Sequence, residues 1–193
     1  MPVVQSGVTR KVPVSALQSA PFDTLSFDTT PGATTLAEGQ ARWNPDERTL
    51  DIALGNGVTL QAGREILYWS KNSSGAQIAD GAVVMAAGSD GNSGRINITP
   101  AVGSSAANEF RIMGIATEAI ANGSAGNVAH FGVVRGINTR GTAVGETWAD
   151  GDILYPHPTI AGALTKNESS AIIKLPFVMV LKASANGTLF VRR

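Results

Sequence analysis

From about residue 39 onward, short alternating or apolar runs are repeatedly cut off by Gly, Asn and Ser. That punctuation leaves no room for helices of ordinary length, which need roughly 10–14 residues, and it prescribes strands joined by tight turns. The pattern is densest at its start. Gln40-Ala41-Arg42-Trp43-Asn44 runs into Pro45-Asp46-Glu47-Arg48, where Pro presets the φ that a turn requires. Thr49-Leu50-Asp51-Ile52-Ala53-Leu54 then sets Leu50, Ile52 and Leu54 against Thr49, Asp51 and Ala53, the alternation of a half-buried strand. Gly55-Asn56-Gly57 turns the chain back into Val58-Thr59-Leu60-Gln61. These segments predict a three-stranded meander.

Further strands are expected over 66–69, 82–86, 95–99, 110–116, 128–135, 177–182 and 188–192. The last two are joined through Ala185-Asn186-Gly187, and Asn-Gly is the strongest short hairpin signal. Two brief helices are expected, over 100–107 and 117–121. No segment repeats at a solenoid period. Roughly ten short strands of this kind predict a mainly β protein, an antiparallel β-sandwich or β-barrel of jelly-roll-like type.

Residues 1–37 read differently. Val12-Pro13-Val14 is biased to extended geometry by its proline, Pro21 and Pro31 interrupt the remainder of this stretch, and its apolar residues keep no helical period. The reading is therefore an extended N-terminal arm (1–37) ahead of a β-rich body (38–193). Fixing about 30 such residues costs roughly 1 kcal/mol each in backbone entropy. Offsetting that takes on the order of 1,200 Å² of apolar burial at about 25 cal/mol per Å², an interface-sized area. A groove on the chain's own body or a neighbouring subunit would supply it, and the neighbour is favoured. The residues expected to make that contact are Val3, Val4, Val12, Val14 and Leu17, with Arg10 and Lys11 facing acids.

Composition narrows the function. A chain of 193 residues is one domain or one domain plus an arm, large enough to bury a core without a metal or disulfide staple. Charged residues make up 16%, with 15 basic against 15 acidic; about a quarter is usual, so part of the surface is expected to face protein rather than water. Zero net charge without clustered Lys/Arg argues against nucleic-acid binding. No apolar run is long enough to span a membrane, and the first residues lack the pattern of a secretory signal. The absence of Cys removes thiol nucleophiles and Cys-ligated zinc.

The search for reactive groups gives structural readings. His130, between Ala129 and Phe131, is expected to be a packed or hydrogen-bonded histidine, and His157 lies in the loop Tyr155-Pro156-His157-Pro158. Two isolated histidines do not make a zinc site. Gly91-Asn92-Ser93-Gly94 and Gly123-Ser124-Ala125-Gly126 are mis-spaced for a nucleophile elbow. Asp150-Gly151-Asp152 lacks the later ligands of a calcium loop and reads as a turn before a strand. Asp46/Glu47 and Glu146/Asp150 are carboxylate pairs in turn-like stretches, where the separation that glycoside hydrolysis needs cannot be read. Trp43, Trp69 and Trp148 with Tyr68 and Tyr155 read as caps on the core rather than a sugar-stacking platform. No catalytic residue, metal or cofactor is expected.

Several strings, in order, resemble tailed-bacteriophage virion proteins, both fibres and capsid decoration proteins. They are Glu38-Gly39-Gln40-Ala41-Arg42-Trp43-Asn44, Thr49-Leu50-Asp51-Ile52 and Gly57-Val58-Thr59-Leu60-Gln61, then Gly114-Ile115-Ala116-Thr117-Glu118-Ala119-Ile120-Ala121-Asn122-Gly123 and Phe131-Gly132-Val133-Val134-Arg135-Gly136-Ile137-Asn138-Thr139. Gly151-Asp152-Ile153-Leu154-Tyr155 and Gly187-Thr188-Leu189-Phe190-Val191-Arg192 complete the series. The resemblance covers about residues 38–193. It implies a non-enzymatic structural subunit that oligomerises or coats a capsid.

The chain is short and has no repetitive shaft, which favours a capsid decoration or cement protein over a tail fibre. The expected partners are then the major capsid protein and further copies of the chain (a dimer or trimer), with no nucleic acid and no membrane. The expected location is the capsid surface of the virion, after synthesis in the host cytoplasm. A short head-fibre or tail-adaptor protein is the alternative reading, and a carbohydrate-binding β-sandwich using Trp43, Trp69 or Trp148 is a second.

Overall fold

The computed structural model describes residues 2–5, 8–11, 25–168, 174 and 176–193. It is mainly β, with 44% of the chain in strands and 6% in helix.

The N-terminal hairpin pairs β1 (Pro2–Gln5) with β2 (Val8–Lys11), Val3 opposite Arg10 and Val4 opposite Thr9. The first part of the arm is therefore a two-stranded ribbon rather than a single extended strand. Val and Thr favour the pleated backbone, and two residues of sequence separate the two strands. Val12, Val14 and Leu17 lie outside the described residues.

The expected meander is present as β3 (Ala41–Asn44), β4 (Thr49–Gly55) and β5 (Val58–Gln61). Its central strand pairs Trp43 with Leu50 and Ile52 with Leu60. Arg48 and Asn56 take positive φ in its two turns, and Asn tolerates that conformation better than most residues.

The body is built on a closed ring of five strands. These are β6 (Ile66–Asn72), β7 (Val83–Ser89), β8 (Ile96–Pro100), β9 (Ile112–Ala116) and β10 (Ala125–Ile137). The order around the ring is β6-β8-β7-β9-β10, closed by the β10–β6 pairing. Pairing is antiparallel except between β6 and β8, the one parallel contact among the described strands. It is a departure from the antiparallel expectation: the hairpin of β7 and β8 enters the ring beside β6 through β8.

Strand β10 is shared between two sheets. Val128 and Ala129 pair on one edge with β6 and on the other with β9. Past a bulge at His130, Phe131 to Ile137 pair with β14 (Gly187–Arg192). From β14 the sheet continues through β13 (Val178–Lys182) and β11 (Ile153–Pro156) to the short edge strand β12 (Leu164–Thr165). A bulge that re-aims a strand is a common device at barrel rims.

Two apolar clusters follow from these registers. Directly paired residues share a face, which places Val84, Ile98, Ala116 and Val128 together with the buried Ser70 and Asn72 on the inner wall of the ring. Ile78 and Ile120 join the four apolar residues in one cluster. The second cluster seals the outer sheet against the ring, joining Leu154, Phe177, Val178, Val180, Leu189 and Val191 to Val83, Ile112 and Ile115.

The helical expectations change. The helix falls at α1 (Ala106–Phe110), so Phe110 ends a helix rather than opening a strand. Residues 117–121 form no helix: the chain bends at 117–118 and Ile120 makes a single antiparallel bridge with Ile78. Ile120 exchanges backbone hydrogen bonds of 2.9 Å in each direction with Ile78, and Glu118 accepts from the Asn127 amide at 2.8 Å. Burial of Ile120 at the ring mouth outweighs a short segment's helix propensity.

Candidate interaction surfaces

The outer sheet carries apolar side chains on both faces. Its inner face belongs to the second cluster. On its outer face the registers align Ile153 opposite Met179, Met179 opposite Phe190, and Phe190 opposite Val133. These four make one row across four neighbouring strands. Phe131 meets Phe190 edge to face, with ring centroids 5.6 Å apart, and is itself paired with Ile66. Met179 is 37% exposed, and Ile153, Leu181 and Ile66 are exposed as well. An antiparallel sheet with one face in water normally alternates apolar inside with polar outside; this one does not.

The cations that register places on that outer face are Arg135, Arg192 and Lys182. Arg135 donates to the almost fully buried carboxylate of Glu65 at 2.9 Å and to Gln61 Oε1 at 3.1 Å. Glu65 Oε2 also accepts the Gln61 amide at 2.9 Å, tying the meander to the barrel. Beside this pair, Arg64 meets Glu47 at 2.7 Å. Between the two ion pairs lies a groove of about 530 Å³ floored by Phe131, Val133, Leu181 and Phe190.

The meander inverts its sequence pattern. Thr49, Asp51 and Ala53 are buried, whereas Leu50, Ile52 and Leu54 are only half-buried. The polar face is held by hydrogen bonds: Asn44 Nδ2 donates to Asp51 at 3.0 Å, Thr49 Oγ1 to the Ala62 carbonyl at 2.6 Å, and Arg42 to the Thr34 carbonyl at 2.5 Å. The apolar face, with Trp43 and Leu60, is left partly open.

Of the arm residues expected to bind a partner, Val3, Val4, Arg10 and Lys11 are brought together in the hairpin by its register. Among the described residues the hairpin joins no other sheet. Nothing in the sequence pattern of the arm pointed to the outer-sheet row. The strands over 177–182 and 188–192 were visible, but which face would be covered was not, since 177–181 are apolar throughout.

The reactive-looking residues have structural partners. His130 Nδ1 lies 2.7 Å from the Met113 carbonyl, which only accepts, so that nitrogen carries the proton; its ring meets Tyr68 edge to face at 5.4 Å. His157 is half-buried, and its Nδ1 accepts the amides of Thr159 and Ile160 at 3.2 and 2.9 Å. Ser93 Oγ donates to the Asp90 carbonyl at 2.6 Å. Asp150 accepts the Ala183 amide at 2.7 Å and Asp152 the Ala149 amide at 2.9 Å, so both brace the turn before β11. No group of three or more His, Asp or Glu converges among the described residues.

Glu146 is the most heavily bonded carboxylate. Burial pushes its pKa up, but donation from Thr165 Oγ1, the Lys166 amide (2.9 Å) and Trp148 Nε1 (2.7 Å), with the charge of His157, outweighs it and holds the carboxyl below its ordinary range. Asp80 shifts the other way: burial, reinforced by the charge of Glu118, exceeds the effect of the Gly81 amide and raises its pKa. Asp80 and Trp148 line a cavity of about 410 Å³, whereas Trp69 lines a separate groove with Leu54, Leu60 and Leu67. The tryptophans therefore do not form one platform.

No protein-family model, curated protein or solved structure matches this chain.

Proposed function

We propose that the protein is a non-enzymatic structural component of a phage virion, a capsid decoration or cement protein that binds the outside of the shell and bridges neighbouring capsomers. The observation that carries this reading is the apolar row Ile153–Met179–Phe190–Val133 on the outer face of the outer sheet. A rigid, four-strand apolar strip flanked by Arg135 and Arg192 is suited to adhesion to another protein surface. The virion setting comes from the sequence resemblance over residues 38–193. The major capsid protein is the partner, and the N-terminal hairpin is a second attachment point. Two attachments on one chain raise the effective concentration of each, so release from the shell is slow even where each contact is modest.

The test is retention on purified shells during heating. Met179→Lys sets a charge within the row at a position exposed enough to leave folding intact. It lowers affinity about 30-fold, the factor given by about 2 kcal/mol for loss of a central contact. Removal of residues 2–11 weakens retention while leaving the body folded. Unchanged retention in Met179→Lys contradicts the adhesive role of the row; unchanged retention in the deletion shows that the hairpin is dispensable.

A further inference from the structure

Asn-Gly occurs three times in the chain, at Asn56-Gly57, Asn122-Gly123 and Asn186-Gly187. The three pairs share one intrinsic chemistry, because glycine has no side chain to shield the backbone nitrogen that follows the asparagine. The fold treats them differently. Asn122-Gly123 is tied at both reacting groups: Asn122 Oδ1 accepts the Gly75 amide at 2.9 Å, and the Gly123 amide donates to the Asn72 carbonyl at 2.9 Å. Asn186 is exposed, but Gly187 is buried and paired with Ile137, with Thr139 and the Lys182 carbonyl packed where a Cβ would stand. At both places conversion has to wait on local opening.

Asn56 and Gly57 are the whole of the turn between β4 and β5, at φ +50° and +78°. Both are exposed, and open space surrounds Gly57. Neither the Asn56 side chain nor the Gly57 amide has a hydrogen-bond partner among the described residues. A two-residue hairpin selects Asn-Gly for its tolerance of positive φ, and here that choice leaves both reacting groups unrestrained.

We propose that Asn56 is a site of spontaneous modification, converting to aspartate and isoaspartate through a cyclic imide with Gly57, while the fold protects the same pair at Asn122 and Asn186. The Gly57 amide nitrogen attacks Asn56 Cγ. A C–N bond forms there, the Cγ–Nδ2 bond breaks, and the side-chain nitrogen leaves as ammonia with the proton from Gly57. Water then opens the imide. Attack at Cγ gives aspartate, and attack at the backbone carbonyl carbon gives isoaspartate. The sequence is redox-neutral and takes water as its only co-reactant. Either product sets a new carboxylate beside the groove of about 480 Å³ that Asn56 lines with Glu38, Arg42 and Asp51. Isoaspartate also lengthens the main chain by a methylene, in a turn whose length fixes the β4–β5 register. This inference does not depend on shell binding.

Prolonged incubation of the full chain in mildly alkaline buffer tests it, read by peptide mapping in the mass spectrometer and by enzymatic methylation of isoaspartate. Asn56 converts at least about tenfold faster than Asn122 or Asn186, each tenfold corresponding to about 1.4 kcal/mol of opening that the other two must first reach. In urea that unfolds the chain, the three rates converge. Asn56→Gly, which keeps a residue suited to positive φ, abolishes the isoaspartate that the native protein accumulates and leaves the near-ultraviolet tryptophan spectrum unchanged. A native-state ratio below about tenfold overturns the proposal. So does conversion at Asn122 or Asn186 ahead of Asn56, or a difference between the sites that persists in urea. Isoaspartate that still accumulates in Asn56→Gly overturns it as well.

Discussion

Gly114 shows how closely the ring closes. Its φ is +151°, and a Cβ at this position would run into the backbone carbonyl of Ala129 on the neighbouring strand. Strand β9 approaches β10 closely because no side chain stands between them, and this approach closes the ring where Ile115 pairs with Ala129. Gly114→Ala combines an unfavourable φ with a clash against backbone that has no rotamer to adjust. We expect a loss of about 2–5 kcal/mol in urea unfolding, or failure to fold; a change below about 0.5 kcal/mol contradicts the role given to this glycine. Gly132, also at positive φ and packed against Glu65, marks the comparable point where β10 leaves the ring for the outer sheet.

Between elements, Glu146 ties the loop after β10 to the edge strand β12. Its two oxygens take three donors, from Thr165, Lys166 and Trp148. Gln in its place turns one acceptor into a donor facing donors, at a cost of about 1 kcal/mol after allowance for its partial exposure. Because the folded state depresses this pKa, the carboxylate's stabilisation is fully present at neutral pH and is lost as pH falls below about 4.5, its unperturbed value, through the folded value. The stability gap between wild type and Glu146→Gln is therefore expected at pH 7 and should narrow in that acid window. A gap independent of pH contradicts the assignment.

Most strands were legible because period-two alternation and Gly/Asn turns are local signals. The meander's strand positions are an example, with Arg42 to Asn44 and Val58 to Gln61 falling where the pattern put them. Which side of the meander faces inward was not legible. That depends on Asp51, Thr49 and Gln61 finding partners in Asn44, Ala62 and Arg135, contacts that no alternation encodes. The parallel β6–β8 contact and the β10 bulge were equally hidden, because they depend on ring closure between distant segments.

At the scale of the whole molecule, the barrel is a rigid mount. The strand it shares with the outer sheet fixes the apolar row in space, and the meander leaves Trp43, Leu50, Ile52 and Leu60 partly open in a different part of the chain. The candidate surface differs from the arm singled out by sequence: Val3, Val4, Arg10 and Lys11 enter only through the hairpin, while the row was visible only once four strands were in register. A charged fraction of 16% leaves room for the apolar side chains this surface carries. Adhesion to a shell is measured most directly by co-sedimentation of the purified wild-type chain with virion shells that lack it, quantified per particle. We predict saturable binding of many copies per shell, with slow dissociation on dilution. Wild-type protein that remains in the supernatant at micromolar concentration contradicts the account.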